Sequence, residues 1–414
     1  MMGLGSIVGT GVFVSIGIAA GIAGPAVVIA VAVGAMVATF NGLSSAQLAA
    51  NHAVSGGTYE YGYEFLTPTF GFTAGWMFLI AKSASAATAA LGFSGYLLGA
   101  LGVDVDVWLV PVALLGVVML TAVVYSGIRR SNITNIGIVS ITLGALALFV
   151  VTGSPTALSD GASNFASFFE APDGGGGVRA VLFASALMFV AYTGYGRIAT
   201  LGEEVRAPRT TIPRAIIVTL IVTMGLYGAV AVVGVGAVGA DTLSAAANQG
   251  AAPLEVAAQA FGVPGVSQIV AFGAITAMLG VLLNLILGLS RVLLAMGRRA
   301  DMPTIFGRLD AAGTTPAPAV LMMGGVIAAI TLVGDVRLTW SFSAFTVLIY
   351  YAITNLAALY IPDDRRLFPK WVSAAGLVAC ASLAFFVEPF IWGLGLGLIA
   401  VGLVWHRVAR RMRA

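Results

Sequence analysis

Apolar residues run along this chain in blocks of about twenty, each closed by a short polar or glycine- and proline-bearing stretch. A bilayer core of about 30 Å calls for helices of that length. The pattern therefore predicts about twelve spans, near 4–22, 25–49, 70–98, 107–127, 132–153, 179–204, 214–238, 265–297, 317–334, 339–361, 371–387 and 389–406. No stretch between them is long enough for a soluble domain. Two blocks are interrupted. GLGSIVGTGVF sets Gly3, Gly5, Gly9 and Gly11 into the first span, and FVAYTGYGRIATLGEEV sets Gly194 and Gly196 into the sixth.

Glycine inside a helix costs roughly 1 kcal/mol relative to alanine, and freed backbone groups are tolerated at membrane depth only where they line a cavity or meet a ligand. Breaking a helix frees N–H groups on one half and carbonyls on the other, so an anion suits one side of the gap and a cation the other. Two breaks five spans apart, at matching places in two halves, are the sequence pointer to an inverted-repeat transporter with a midplane site. The plainer alternative is a glycine-lined packing seam, which the 53 glycines would also serve.

Composition agrees with the class: 59% of residues are hydrophobic and 9% charged, with mean hydropathy +1.01, against about 25% charged in soluble domains. Counted loop by loop, Lys and Arg fall on one side, from Arg129 and Arg130 through Arg298 and Arg299 to Arg413, while the opposite loops keep Arg179 and Arg337 among several carboxylates, from Asp104 and Asp106 through Glu255 to Glu388. That asymmetry predicts a multi-pass protein of the cell membrane with both termini cytoplasmic. The net charge of +3 is then a topology signal and not a nucleic-acid one. Cys380, the lone cysteine, rules out an intrachain disulfide. Residues 1–22 lack a basic n-region and so are not a signal peptide. The first span has almost no lead-in; either a short first half-helix is native or the start lies upstream of Met1.

Lys82, in FLIAKSASAATAALGF, lies 12 residues into the third span, roughly 18 Å along it. An intramembrane cation usually faces a cavity or a partner, and a lysine there can exchange a proton during transport; a fixed structural charge or a snorkelling one is the bland reading. Arg197 follows the second break and is a candidate for the side chain of an acidic substrate or, preferably, for an inner gate with Glu203 or Glu204. Asn284 is polar within the eighth span, suited to interhelical hydrogen bonding or to a coupling cation. Thr276 is the one hydroxyl in FGAITAMLGVLLNLILG, which argues against a sodium site. His52 and His406 are too far apart in sequence for ligand spacing and have no carboxylate or cysteine companions, so no metal is expected. No Ser-His-Asp order or phosphate loop occurs, since GGGG at 174–177 precedes no GK[ST]; neither enzyme activity nor a cofactor is expected. No interior Asp or Glu relay is visible. Glu60 and Glu64, among Tyr59, Tyr61 and Tyr63, form either part of an inner gate or an interfacial anchor.

GLGSIVGTGVF, SGGTYEYGYEFL (55–66), FGFTAGW, YTGYGRIATLGEEVRAPRTTIPRAI (192–216) and SRVLLAMGRRADMP (290–303) together resemble, in order, the motifs of the amino acid–polyamine–organocation superfamily. The resemblance implies ten helices in two inverted repeats (residues 1–153 and 178–361) plus two extra helices (369–406) in one transmembrane domain. It also implies a substrate carboxylate on the N–H groups of Ile7, Thr10 and Gly11, beside Gly9, and an amine on carbonyls around Phe189, Val190 and Thr193, with Tyr192 and Gly194 adjoining. Relatives often carry a bulky aromatic where Val190 stands, which implies a roomier pocket here or gating by Phe189 or Tyr192. Some proton-coupled relatives carry a fifth-helix lysine; this chain has Ser140 and Thr142 in that stretch, and Lys82 is the candidate replacement.

The expectation is thus an all-α polytopic membrane protein: a secondary active permease of amino acids or related amines, working by alternating access in the lipid bilayer, with a proton favoured over sodium as coupling ion. An exchanger of the same fold and a non-transporting amino acid sensor are the alternatives. The sensor reading would expect a signalling tail, and nine residues follow Trp405.

Overall fold

In the computed structural model the described residues are all except 1–3, 53, 55, 128–131, 175, 197–206, 251, 312 and 412–414. They form sixteen α-helices joined by short turns and 3-10 segments: α1 Leu4–Ile7, α2 Thr10–Phe13, α3 Ser15–Ala23, α4 Val27–Asn51, α5 Thr58–Phe65, α6 Pro68–Leu101, α7 Val105–Tyr125, α8 Asn132–Asn164, α9 Gly177–Tyr192, α10 Pro208–Gly250, α11 Pro253–Gln259, α12 Val266–Arg298, α13 Ala317–Thr331, α14 Val336–Leu359, α15 Lys370–Leu383 and α16 Pro389–Arg411. About 85% of the chain is helical, with no strand among the described residues. Nine helical segments there are long and apolar enough to cross a membrane, counting Ser15–Asn51 as one, and two shorter apolar ones, Ala317–Thr331 and Lys370–Phe386, add to them. Ser15–Asn51 is in fact two crossings. It turns at Gly24, whose φ of +61° suits glycine alone and whose Cα lies against the Glu170 carbonyl. With α1–α3 taken as one interrupted span, the fold is the twelve-span bundle that the hydropathy blocks predict.

Helix ends depart from the predicted ones where hydropathy stops but helix geometry does not. α8 runs to Asn164 and not to 153, carrying Pro155 inside, with Thr152 and Ser154 hydroxyls bonded back to Leu148 and Val150. Hydropathy marks where lipid ends; a helix can continue into water. α10 likewise extends past the predicted span to Gly250, kinking at Gly239, where φ is +79°.

Burial sorts the helices. α3, α4, α6, α9 and α14 are buried along most of their length, whereas α7 and α16 turn Leu115, Val118, Met119, Val401 and Val404 outward, as a lipid-facing wall should. The inner helices are joined by hydroxyl pairs: Ser85–Ser343 at 2.6 Å, Thr88–Thr339 at 2.9 Å and, across α4 and α15, Ser44–Ser373 at 2.9 Å. Apolar surface gives little drive for association inside lipid, so small-residue packing and such bonds, about 0.6 kcal/mol each on average, hold the bundle.

Candidate functional site

Both predicted breaks are present. The first span stops at Ile7, passes through Val8 and Gly9, makes one turn, and restarts at Ser15. Val12 and Phe13 donate to the Gly9 carbonyl at 3.1 and 3.2 Å, so the Thr10 and Gly11 N–H groups stand ahead of the first hydrogen-bonded turn, where helical N–H groups lack partners of their own. Ser15 caps the Gly11 carbonyl. The sixth span, α9, stops at Tyr192 and passes into a 3-10 turn over Thr193–Tyr195. Arg197, with Glu203 and Glu204, lies outside the described residues, as does Gly3.

The two breaks touch. A Cβ on Gly11 would sit 2.5 Å from the Ala191 Cβ and 2.6 Å from its Cα, so only glycine admits this approach. Tyr227, buried on α10, donates its hydroxyl to the Ile7 carbonyl at 2.9 Å and lies 3.4 Å from that of Ala191. One phenol thus serves the loose carbonyl ends of both interrupted helices. Replacing it as Tyr227→Phe leaves the Ile7 carbonyl without this donor, a loss of about 1–3 kcal/mol to be read as a lowered melting temperature of the purified protein in detergent.

Beside the second break, Lys82 on α6 is buried and donates through Nζ to Thr193 Oγ1 at 2.8 Å. Thr193 Oγ1 donates in turn to the Val190 carbonyl at 2.8 Å, and the Thr193 carbonyl accepts from Tyr351 at 3.1 Å. The lysine that had no partner in sequence thus has a hydroxyl partner in space, 111 positions away.

A cavity of about 750 Å³ is floored by these groups. Ile7, Thr10, Gly11, Lys82, Val190, Thr193, Gly194 and Asn284, all singled out above, line it together. Gly9, Phe189 and Tyr192 do not: Gly9 abuts Val281, Phe189 packs edge-on against Tyr351, and the Tyr192 ring lies tilted against that of Tyr227. Sequence reasoning missed Tyr227, Trp340, Tyr350 and Tyr351. Trp340, Tyr350 and Tyr351 line the cavity and Tyr227 bonds the breaks; each is an aromatic inside an apolar block, with no local signal to set it apart from core.

The cavity opens toward the end of the bundle that carries Gly56, Glu60, Arg291, Arg298 and Arg299. There Arg299 pairs with Glu60 and lies 4.1 Å above the Tyr63 ring. Burial raises the Glu60 carboxyl, against the lowering pull of Arg299. The tyrosine loop is therefore packed into the mouth and is not a bare interfacial anchor. Tyr59 and Tyr63 both donate to Asp301 Oδ2, at 2.7 and 2.6 Å. Burial first, then the Asp301 carboxylate, holds the Tyr59 phenol well above its ordinary range, so it remains a donor. His406 Nδ1 lies 3.6 Å from Asp301 Oδ1. This corrects the expectation that His406 has no carboxylate companion; the two are far apart in sequence and the fold joins them.

The opposite end is closed. Asp173 N donates to the Gly21 carbonyl, Arg337 bridges Asp173 and Glu388, and Tyr96 donates to the Phe13 carbonyl at 2.7 Å. A membrane-spanning bundle with a central cavity, open at one end and floored by two broken helices, is built as a multi-pass carrier of small molecules.

The chain belongs to the amino acid permease family, which matches it over residues 1–405. It is 39% identical over 413 residues to an uncharacterized transporter of Mycobacterium tuberculosis, covering 99% of this chain and 89% of that one. It is 27% identical over 423 aligned positions to a branched-chain amino acid permease of Bacillus subtilis, covering 98% and 88%. A methylthioribose transporter of the same bacterium is 28% identical over 349 residues, covering 80% and 72%.

Proposed function

We propose that this permease carries neutral amino acids across the cell membrane by alternating access, each coupled to a proton that Lys82 takes up and releases. The observation that carries the reading is the meeting of the two helix breaks in one cavity with a buried lysine at its edge. The substrate carboxylate rests on the N–H groups at Thr10 and Gly11, where a helix start favours an anion. The amine faces the carbonyl side around Val190 and Thr193. Ile7, Phe78, Val190, Val281, Leu285 and Trp340 offer an apolar wall for the side chain, in keeping with the branched-chain substrates in the name of the Bacillus relative. Lys82, a cation against that floor, disfavours a cationic side chain.

Both termini face the cytoplasm by the Lys/Arg asymmetry, so the open mouth is the inner one. Residues 1–153 and 178–361 form the two inverted repeats, with 369–406 appended. Asn284, in the cavity wall, takes a substrate-facing or gating role, and Arg197 an inner-gate one.

The test is uptake of a labelled amino acid panel into proteoliposomes under an inward proton gradient, a sodium gradient, or neither. Concentrative uptake of valine, leucine or isoleucine with protons alone is the expected result. Sodium dependence overturns the coupling assignment, counterflow indifferent to both gradients makes the protein an exchanger, and binding without flux makes it a sensor.

A further inference from the structure

α11, the short helix between the seventh and eighth spans, packs over the closed end of the bundle. Its Pro253 meets Gly17 of α3, where a Cβ on the glycine would lie 2.8 Å from the proline Cβ. Its Leu254 N–H donates to the Tyr96 hydroxyl at 3.2 Å, and that hydroxyl donates to the Phe13 carbonyl in α2, next to the first break. α11 is thus tied by one phenol to the helix that binds the substrate.

The next residue, Glu255, was counted above among the charges of an outer loop. It is buried, and its carboxylate lies against Gly99 of α6, with Oε2 lacking any hydrogen-bond partner among the described residues. A buried carboxylate oxygen without a partner is tolerated when the group is neutral and costly when it is an anion. Tyr96 is the titratable group that faces it from α6; no charged side chain of α3, α10 or α12 among the described residues takes part in its shift.

We propose that Glu255 is a proton-binding site whose occupancy governs closure of the bundle end opposite the cavity mouth. Protonated, the side chain is seated and α11 stays down on α3; ionised, it is drawn to water, α11 lifts, and that end opens. The inference rests on the alternating-access reading. It differs from the Lys82 assignment in that the proton enters and leaves from the closed side.

Burial raises Glu255 from its ordinary 4.5 to about 7 in the closed arrangement. The penalty on closure is absent below 4.5, grows as pH rises, and is complete above about 7. Opening of this end is therefore favoured by alkaline pH.

Ser244 on α10 is buried at the closed end against Gly21. A Ser244→Cys variant in proteoliposomes, labelled with a membrane-impermeant maleimide, reports opening there, and protein with only the buried Cys380 is the blank. Dividing its labelling rate by that of the same variant carrying Glu255→Gln cancels the reactivity of the thiol. That ratio is expected to rise about tenfold between pH 6 and pH 8 and to flatten above it. A ratio constant with pH, with labelling present in both proteins, overturns the Glu255 site and leaves alternating access standing. No labelling at any pH, with folding verified by thermal melting, overturns both.

Discussion

Lys82→Met is expected to abolish proton-driven accumulation while sparing exchange. With membrane potential clamped and a one-unit inward pH gradient, one proton per substrate supports about tenfold accumulation, the equivalent of 1.36 kcal/mol. Methionine keeps the length and apolar stem of the side chain but carries no titrating proton, so accumulation should fall to equilibration while counterflow of unlabelled for labelled substrate continues. The reason is local: Lys82 Nζ reaches the site through Thr193 Oγ1 and not through a carboxylate, so its loss leaves a hydroxyl that still bonds the Val190 carbonyl and no stranded counter-charge. Full pH-driven accumulation by the variant would remove Lys82 from the coupling mechanism.

Gly11→Ala is expected to lower uptake about tenfold. The added carbon would sit 2.5–2.6 Å from Ala191 Cβ and Cα, and main chain cannot step aside as a side-chain tip can. Overpacking of this kind costs about 1–3 kcal/mol, here taken from the contact between the two broken helices. Gly225→Ala on α10 is the control: its Cβ meets nothing within 4 Å, so that variant should keep wild-type uptake. Equal uptake by the two variants would mean that the helix contact at Gly11 does not matter to transport.

The spans and both breaks were legible because each is a local property. Twenty apolar residues declare a crossing, and glycines such as Gly9, Gly11 and Gly194 declare where it fails. Lys82 was legible as an anomaly, a cation in an apolar block. Its partner was not, nor was Tyr227, 220 positions from the Ile7 carbonyl that it serves. Such pairings leave no period in the chain for a pattern to catch. Glu255 misled for a related reason: a charge between spans reads as solvated, and only the packing of α11 onto α3 and α6 takes it out of water.

The Asp301 cluster binds parts of the chain that would otherwise be strangers. Its carboxylate holds two tyrosines of the loop at the mouth, while its own carbonyl accepts from Trp405 on the last helix at 2.9 Å, and Phe72 stacks on His406 at 4.5 Å. The final span therefore has mechanical purchase on the rim of the cavity without touching its floor. Whatever presses on that span from the lipid side, whether bilayer thickness, a bound lipid or a neighbouring protein, acts on the doorway through a lever about 100 residues from the nearest motif.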